Sequence, residues 1–379
     1  MALLDQQLQR WLPTGLKQFL DRLANSDEAA EQPEENCADL TPEQIEQLSE
    51  AIQSLPNHPV NPEAIYSDIK AELEQWQASP QSSNNSLAIL SSPGVAIANI
   101  LAHDLEPQLD GHKPPVLVLA TADRARESNQ IESLLEQRIQ EIGADQEQCI
   151  VVIPDLSQCF LRSVDGLSSL DFLQETLLQN PCRFTIMGLD PVTWHYLGVV
   201  SHLATYCSQE LSLPKLEADQ LQDWLKPVID QFQLQFSRDS ALQKATNDSP
   251  EDRYFKTLAA LSNGNRIVAE QLFLQSIHPV DADHLETLEL GIPELPSLPS
   301  LEESDNYLLY SLLLHGEMTL SALADSLGET LPTLRYQAQA LQQSEVILQR
   351  EDRLSINPLY DPKLRQSLAL NNFVIDSRD

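Results

Sequence analysis

A chain of 379 residues with 57 acidic side chains against 23 basic ones carries a formal charge of −34, a field that repels phosphate backbones and anionic lipid surfaces. With 42% hydrophobic residues it is globular rather than disordered, and its length suits two or three domains. Non-specific nucleic-acid binding is therefore not expected. No apolar run approaches the roughly 18 residues of a membrane span, and the amino terminus lacks a cationic region with a cleavage site, so a cytoplasmic protein is expected.

Residues 1–24 read as an amphipathic helical arm, with Leu4, Leu8, Trp11, Leu12, Leu16, Phe19, Leu20 and Leu23 at near-helical spacing and Pro13 placed to kink it. The stripe either packs on its own protein or docks elsewhere, on a soluble partner or the cytoplasmic side of a membrane protein. On the docking reading Leu8, Trp11, Leu12 and Phe19 are the contact residues. Residues 25–40 are an acidic linker without apolar periodicity.

Residues 41–85 form a helical segment. Thr41-Pro42-Glu43-Gln44 supplies a cap, a proline for the first turn and an acid for the positive helix end. A second helix runs from about Pro62 to Trp76, and the polar stretch ASPQSSNNS closes the region as a loop.

In residues 86–215 short apolar runs alternate with helical stretches. The runs are LAIL from Leu87, VLVLAT from Val116, IVVI from Ile150, FTIMG from Phe184 and a weaker ELSL from Glu210. Apolar throughout, they suit strands covered on both faces. With helices such as Asn129 to Ile142 and Gly166 to Leu178 between them, they predict an α/β fold with a parallel sheet and crossover helices. The cysteines Cys37, Cys149, Cys159, Cys182 and Cys207 form no CxxC site, which fits a reducing compartment and buried small side chains.

Residues 216–285 read as a helical layer. Leu221, Trp224, Leu225, Val228, Ile229 and Phe232 line one face of a helix from Ala218, and a helical pair follows from Tyr254 to about Ile277. Residues 286–304, rich in proline and acids, read as a linker. Residues 305–379 contain helices ending at Gly316 and Gly328, a third helix from Leu331, the strands EVILQR and RLSIN around Glu351-Asp352, and a last helix from Pro362. Three helices followed by a hairpin describe a winged helix.

The LAIL strand runs into Ser91-Ser92-Pro93-Gly94, the turn of a phosphate-binding strand–loop–helix. Val95 to Asn99 stand where Gly-Lys-Ser/Thr would reach the phosphates and a metal. Asp155 follows the third strand, with Leu156 where a water-polarising Glu would be expected. Arg162 and Arg183 are open to an arginine-finger role, though each reads more simply as a surface or ion-pair residue. His195 with Trp194 and Asp190 offers an acid–base group, against which stands a plain role of anchoring a helix to the sheet.

The order of the SSPG turn, IVVIPDLSQCFLR, RFTIMGLDPVTWHYL, LPKLEADQLQDWL, ALSNGNRIVAEQLF and a terminal winged helix resembles the AAA+ and STAND class of P-loop ATPases over about residues 86–376. It looks most like a bacterial, cyanobacterial-type branch with a degenerate phosphate loop. The resemblance implies a P-loop NTPase-like core (86–215), a helical lid (216–285) entered by Leu213-Pro214 with Gly264-Asn265 near a second sensor, and a winged-helix domain (305–379). Ser91, Ser92, Pro93, Gly94 and Asp155 are then the candidate nucleotide-binding residues.

The resulting expectation is a scaffold or regulatory adaptor acting through protein–protein contacts, not an enzyme, with no catalytic residue, metal or cofactor assigned. Two alternatives stay open. One is a nucleotide-binding switch or weak ATPase in which main-chain N–H groups near Gly94 hold phosphate. The other is a winged-helix transcriptional regulator. Against the latter, the third helix of the terminal unit has Arg335 as its single cation and the hairpin tip is Glu351-Asp352, where a DNA reader needs a basic stripe. Arg335 and Tyr336 on that helix are instead candidate contacts for a protein partner.

Overall fold

A computed structural model describes residues 40–55, 63–81, 84–91, 101, 105, 114–119, 133–137, 148–207, 209–237, 249–280 and 287–375. They fall into two compact units, one within Met1–Asn61 and Pro214–Pro296, the other within Pro62–Leu213 and Ser297–Asp379. The expected amphipathic arm and nearly all of the acidic linker lie outside the described residues. No helix among the described residues is long and apolar enough to cross a membrane.

Helix α1 (Pro42–Gln53) starts in a capping box. The Gln44 N–H donates to Thr41 Oγ1 at 3.3 Å and the Thr41 N–H to Gln44 Oε1 at 2.9 Å, so two donors that a helix start leaves unpaired are satisfied reciprocally. Helix α2 (Glu63–Ala78) belongs to the other unit. It lays Ile65, Ile69, Leu73 and Trp76 on one face of the sheet described next, and the Trp76 indole donates to Pro181 O at 2.8 Å.

The sheet comprises β1 (Ser86–Leu90), β2 (Val116–Val118), β3 (Cys149–Ile153), β4 (Arg183–Leu189) and β5 (Gln209–Ser212) in the order β2-β3-β4-β1-β5. Every pairing is parallel. Alternate residues serve opposite faces. Leu87, Ile89, Ile150, Val152, Phe184 and Ile186 meet α2. Ala88, Leu90, Val151, Ile153, Met187 and Leu189 meet α3 (Ser168–Gln179) and α4 (Pro191–Val200). A short helix, α5 (Leu203–Tyr206), then leads to β5.

β1 and β3 are buried along their whole length, as their unbroken apolar runs predict. β5 differs: three of its four residues are exposed, because it is an edge strand bonded to β1 alone. Cys149, Cys159 and Cys207 are buried and Cys182 is half-buried.

In the first unit, α6 (Ala218–Phe232) buries Leu221, Trp224, Leu225, Val228 and Ile229 and packs against α1. Next come β6 (Gln235–Phe236), α7 (Pro250–Ser262), α8 (Arg266–Gln275), β7 (Ile277–Pro279) and β8 (Leu288–Leu290). Asn263 and Gly264, both at positive φ, turn the chain between α7 and α8, and the Asn265 side chain caps α8 by accepting from the Ile267 N–H at 2.9 Å. The stretch 286–304 is not wholly a linker. Leu288–Leu290 is the middle strand of a small sheet ordered β6-β8-β7, since the apolar-acidic-apolar alternation of Leu288-Glu289-Leu290 buries both leucines. Leu298 and Leu301, further along, pack on the terminal core of their own unit.

That terminal part contains α9 (Glu303–His315), β9 (Met318–Thr319), α10 (Leu320–Leu327), α11 (Leu331–Gln343), β10 (Ile347–Arg350), β11 (Arg353–Ile356) and α12 (Asp361–Leu370). The hairpin β10–β11 pairs antiparallel and β9 adds to β11, giving the order β10-β11-β9. α9 is buried almost all round, from Leu308 to His315, as befits a helix with packing on more than one side. Leu161 and Val192 of the sheet region share its core.

Candidate functional site: the carboxyl edge of the parallel sheet

In open parallel α/β sheets ligands bind outside the carboxyl ends of the strands, so the ends of β1, β3 and β4 are where chemistry is sought. β1 ends at Ser91, which is buried and whose N–H donates to Leu189 O at 3.0 Å, extending the β1–β4 ladder by one bond. Ser92, Pro93 and Gly94 lie outside the described residues, as do Val95 to Asn99. Downstream, Leu101 and Leu105 are fully buried. Gly188 in β4 fits here because a Cβ would come within 2.3 Å of Pro154 O and 2.9 Å of the Leu101 side chain.

Asp155 follows β3 and caps a 3-10 turn, Leu156–Cys159. Its carboxylate accepts from the Ser157 N–H at 2.9 Å and from Gln158 Nε2 at 3.1 Å. β4 ends at Asp190, which caps α4 by accepting from the Val192 N–H at 2.8 Å. Both carboxylates after the strands are thus engaged with local backbone N–H groups.

Asp190 has a further partner that is far away in sequence. Arg365 of α12 grips it in a fork, Nη1 to Oδ1 at 3.3 Å and Nη2 to Oδ2 at 3.0 Å, while Arg365 Nε donates to Asp361 at 2.8 Å. Burial pushes the Asp190 carboxyl above its ordinary value, and the Arg365 guanidinium opposes that shift. Arg365 itself is raised, the Asp190 and Asp361 charges outweighing its desolvation. The two-bond fork and the backbone N–H on the carboxylate favour its charged form against that burial.

The seam continues through α9. His315 is fully buried. Its Nε2 accepts from the Arg162 N–H at 3.1 Å, which places the ring proton on Nδ1, and its ring lies 4.8 Å from that of Phe160. Ser157 Oγ donates to His315 O at 3.3 Å and Thr193 Oγ1 to Leu314 O at 2.7 Å. The guanidinium of Arg162 lies 6.0 Å from the Tyr310 ring. The ends of β3 and β4 are therefore tied to α9 and α12 by charge, hydrogen bonds and apolar contact.

The Asp190–His195 grouping suggested by sequence does not assemble as an acid–base pair, because Asp190 is committed to Arg365 and the α4 amide, while Trp194 is buried against the sheet. Arg183 opens β4 at its amino end, away from this edge. Arg335 and Tyr336 sit exposed on α11, Tyr336 at 77% with Leu331 at 47%. Leu8, Trp11, Leu12 and Phe19 lie outside the described residues. Sequence reasoning missed Arg365 and His315. The Asp-Pro step before α4 is the signal that could have marked Asp190 as a cap, and nothing local marked its second partner.

The fold and this edge define the chain as an α/β protein built on a parallel five-stranded sheet. No protein-family model matches the chain, and no curated protein does. Solved structures do match. The Thermotoga maritima RuvB Holliday junction branch migration motor covers 80% of this chain and 95% of its own at 14% identity and a TM-score of 0.33. The Aeropyrum pernix ORC2 protein, in ADPNP-ADP complexes, covers 83% and 96% at 12% identity and a TM-score of 0.36. A Walker-type ATPase of Pyrococcus abyssi covers 78% and 94% at 11% identity and a TM-score of 0.33. Likeness at these values concerns the fold alone.

One expectation is corrected by these matches. The expectation that the chain is not an enzyme does not stand, since the structures it resembles include ones named a branch migration motor and a Walker-type ATPase. Missing Lys and Ser/Thr side chains at Val95 to Asn99 are not sufficient ground for that exclusion, because main-chain N–H groups can themselves hold phosphate.

Proposed function

We propose that the chain is a regulatory adaptor of AAA+/STAND type in which a winged helix, held in fixed orientation on the α/β core, presents its third helix to a protein partner. The observation that carries this reading is the seam of Asp190–Arg365, Thr193–Leu314 and Arg162–His315, which joins the sheet's carboxyl edge to the terminal unit. A unit fixed in this way offers a preorganised surface, which lowers the ordering cost of binding. The surface is α11, with Leu331 and Tyr336 exposed ahead of the uncharged glutamines of its later turns and Arg335 as its one cation. Exposed aromatic residues beside an arginine are the residue types that dominate protein interfaces.

A nucleic-acid partner is not part of this reading. The hairpin tip exposes Glu351 and Asp352, and Arg350 and Arg353 beside them are half-buried. Catalytic turnover is compatible with it, so magnesium and ATP belong among the test conditions. The test is capture from native lysate by the parent and by a Leu331→Asp/Tyr336→Asp variant, each with and without magnesium-ATP. A protein retained by the parent and lost by an equally stable variant supports the reading. Equal retention by both, or no specific retention, overturns it.

A second reading is favoured by the position of β1 inside the sheet, between β4 and β5. Its carboxyl end at Ser91 is where an α/β sheet admits a nucleotide. A ligand held only by the folded state raises the melting temperature. No shift with magnesium and ATP, ADP or GTP at millimolar concentration refutes this reading.

A further inference from the structure

The unit that contains α6, α7 and α8 has a half-open pocket of about 60 Å³ bordered by β6, the first turns of α7 and the segment leaving β8. Its lining is mainly apolar, with Phe236, Tyr254, Leu290, Ile292 and Pro293 beside the hydroxyl residues Ser237 and Thr257, and Arg253 is the single charged residue among those that line it. We propose that this pocket binds a small organic acid, an apolar body of a few carbons bearing one carboxylate.

Three observations converge on that chemistry. The first is the state of Arg253, whose Nε is buried with no hydrogen-bond partner among the described residues. A buried guanidinium N–H without an acceptor carries a desolvation cost that a bound anion relieves. Arginine's planar fork suits a carboxylate specifically, and a cation lodged in mainly apolar walls is conspicuous in a protein of net charge −34.

The second is the rigidity of the walls. Phe236, Tyr254 and Phe255 form a mutually packed ring cluster with centroid separations of 5.3 to 6.1 Å. The Tyr254 hydroxyl is satisfied by Ser276 Oγ at 2.6 Å, so Tyr254 offers the pocket its ring. On the β side, the Ser237 N–H donates to Leu290 O at 3.0 Å and the Gly291 N–H to Ser276 O at 2.8 Å, which pins both strands that border the cavity. The pocket is thereby preformed rather than dependent on induced closure.

The third is size. At about 30 Å³ per water, the 60 Å³ cavity holds about two water-sized groups, enough for a carboxylate and the carbon or two next to it. Ile292, 47% exposed, forms part of an open rim through which the remainder of a ligand can protrude. A phosphate dianion fits poorly, since a single arginine is the one charged partner the lining offers its two charges.

The probe is trifluoroacetate, followed by 19F line broadening on adding the full-length protein, with 2,2,2-trifluoroethanol as the uncharged counterpart and inorganic phosphate as a competitor. Broadening with the parent should fall at least tenfold in apparent affinity in Arg253→Met, which keeps the aliphatic stem and removes the charge. It should fall likewise in Ile292→Glu, which adds a like charge at the exposed rim. The alcohol should bind weakly and phosphate should not compete. Absent broadening, unchanged affinity in both variants, equal binding of the alcohol, or displacement by phosphate would each overturn the assignment.

Discussion

Breaking the Asp190–Arg365 pair should weaken the seam by an amount set by burial. The side chains of Asp190 and Arg365 are only 13% and 20% exposed, so removing one partner leaves the other charge poorly solvated. Losses of that kind run to about 3–5 kcal/mol. Asp190→Asn keeps the cap, because an Asn oxygen still accepts from the Val192 N–H, and so isolates the ion pair from the start of α4. Arg365→Met leaves Asp190 charged and unpaired, and should cost more than Asp190→Asn. In the double variant neither charge remains, and the loss should be smaller than the sum of the two single losses, with a coupling of about 2 kcal/mol or more within the range for groups sharing one network. Urea unfolding of the four proteins near neutral pH, read by tryptophan fluorescence, supplies the cycle. Strictly additive losses, or an Arg365→Met loss under about 1 kcal/mol, would show that the terminal part is held without help from the ion pair.

Two further expectations concern the unit with α6, α7 and α8. Glu270 is 6% exposed, and burial, opposed by Arg266, raises its carboxyl from 4.5 to about 7. A carboxyl raised on folding favours the folded state while protonated, so its contribution is complete below pH 4.5 and is lost as pH rises through about 7. At 1.36 kcal/mol per unit the loss is about 3 kcal/mol, and Glu270→Gln should flatten that part of a stability–pH profile measured beside the parent. Coincident profiles would refute this. Gly264 and Gly328 both hold positive φ, at 69° and 68°, but an added Cβ meets Lys215 at 2.5 Å and Leu216 N at 2.7 Å in the first and nothing within 4 Å in the second. Gly328→Ala should cost the left-handed penalty of about 1–2 kcal/mol and Gly264→Ala distinctly more in thermal melts. Equal losses would show that the crowding at Gly264 relaxes freely.

Local rules in the sequence announced most elements. Thr41 with Gln44, the stripe from Leu221 to Ile229, and the apolar runs at Leu87, Ile150 and Phe184 each depend on neighbours within one or two turns or on alternation along one strand, and each forms where expected. The small sheet β6-β8-β7 escaped because strands of two or three residues are too short for a period to register. Leu288–Leu290 also sits in a stretch whose prolines and acids favour a linker reading. The exposure of β5 escaped for a different reason: ELSL carries no mark of its place in the sheet order, and that order alone decides whether a strand is buried on both sides.

The candidate site was less legible, since its central contact joins residues 175 positions apart. An arginine on a terminal helix resembles any surface arginine until the fold brings it to a carboxylate. That contact also relates the two readings of function. Leu90 pairs with Leu189 in register, so Ser91 and Asp190 leave adjacent strands side by side, and the Ser91 N–H to Leu189 O bond ties them together. A ligand at the end of β1 would press on the strand whose next residue holds Arg365, and so on α12. A phosphate-sized anion at Ser91 would sit next to the Asp190 carboxylate, whose charge Arg365 already neutralises. The same ion pair that fixes the terminal part therefore lowers the electrostatic cost of binding an anion one strand away, and Arg365→Met, which leaves the Asp190 charge uncompensated, should weaken both.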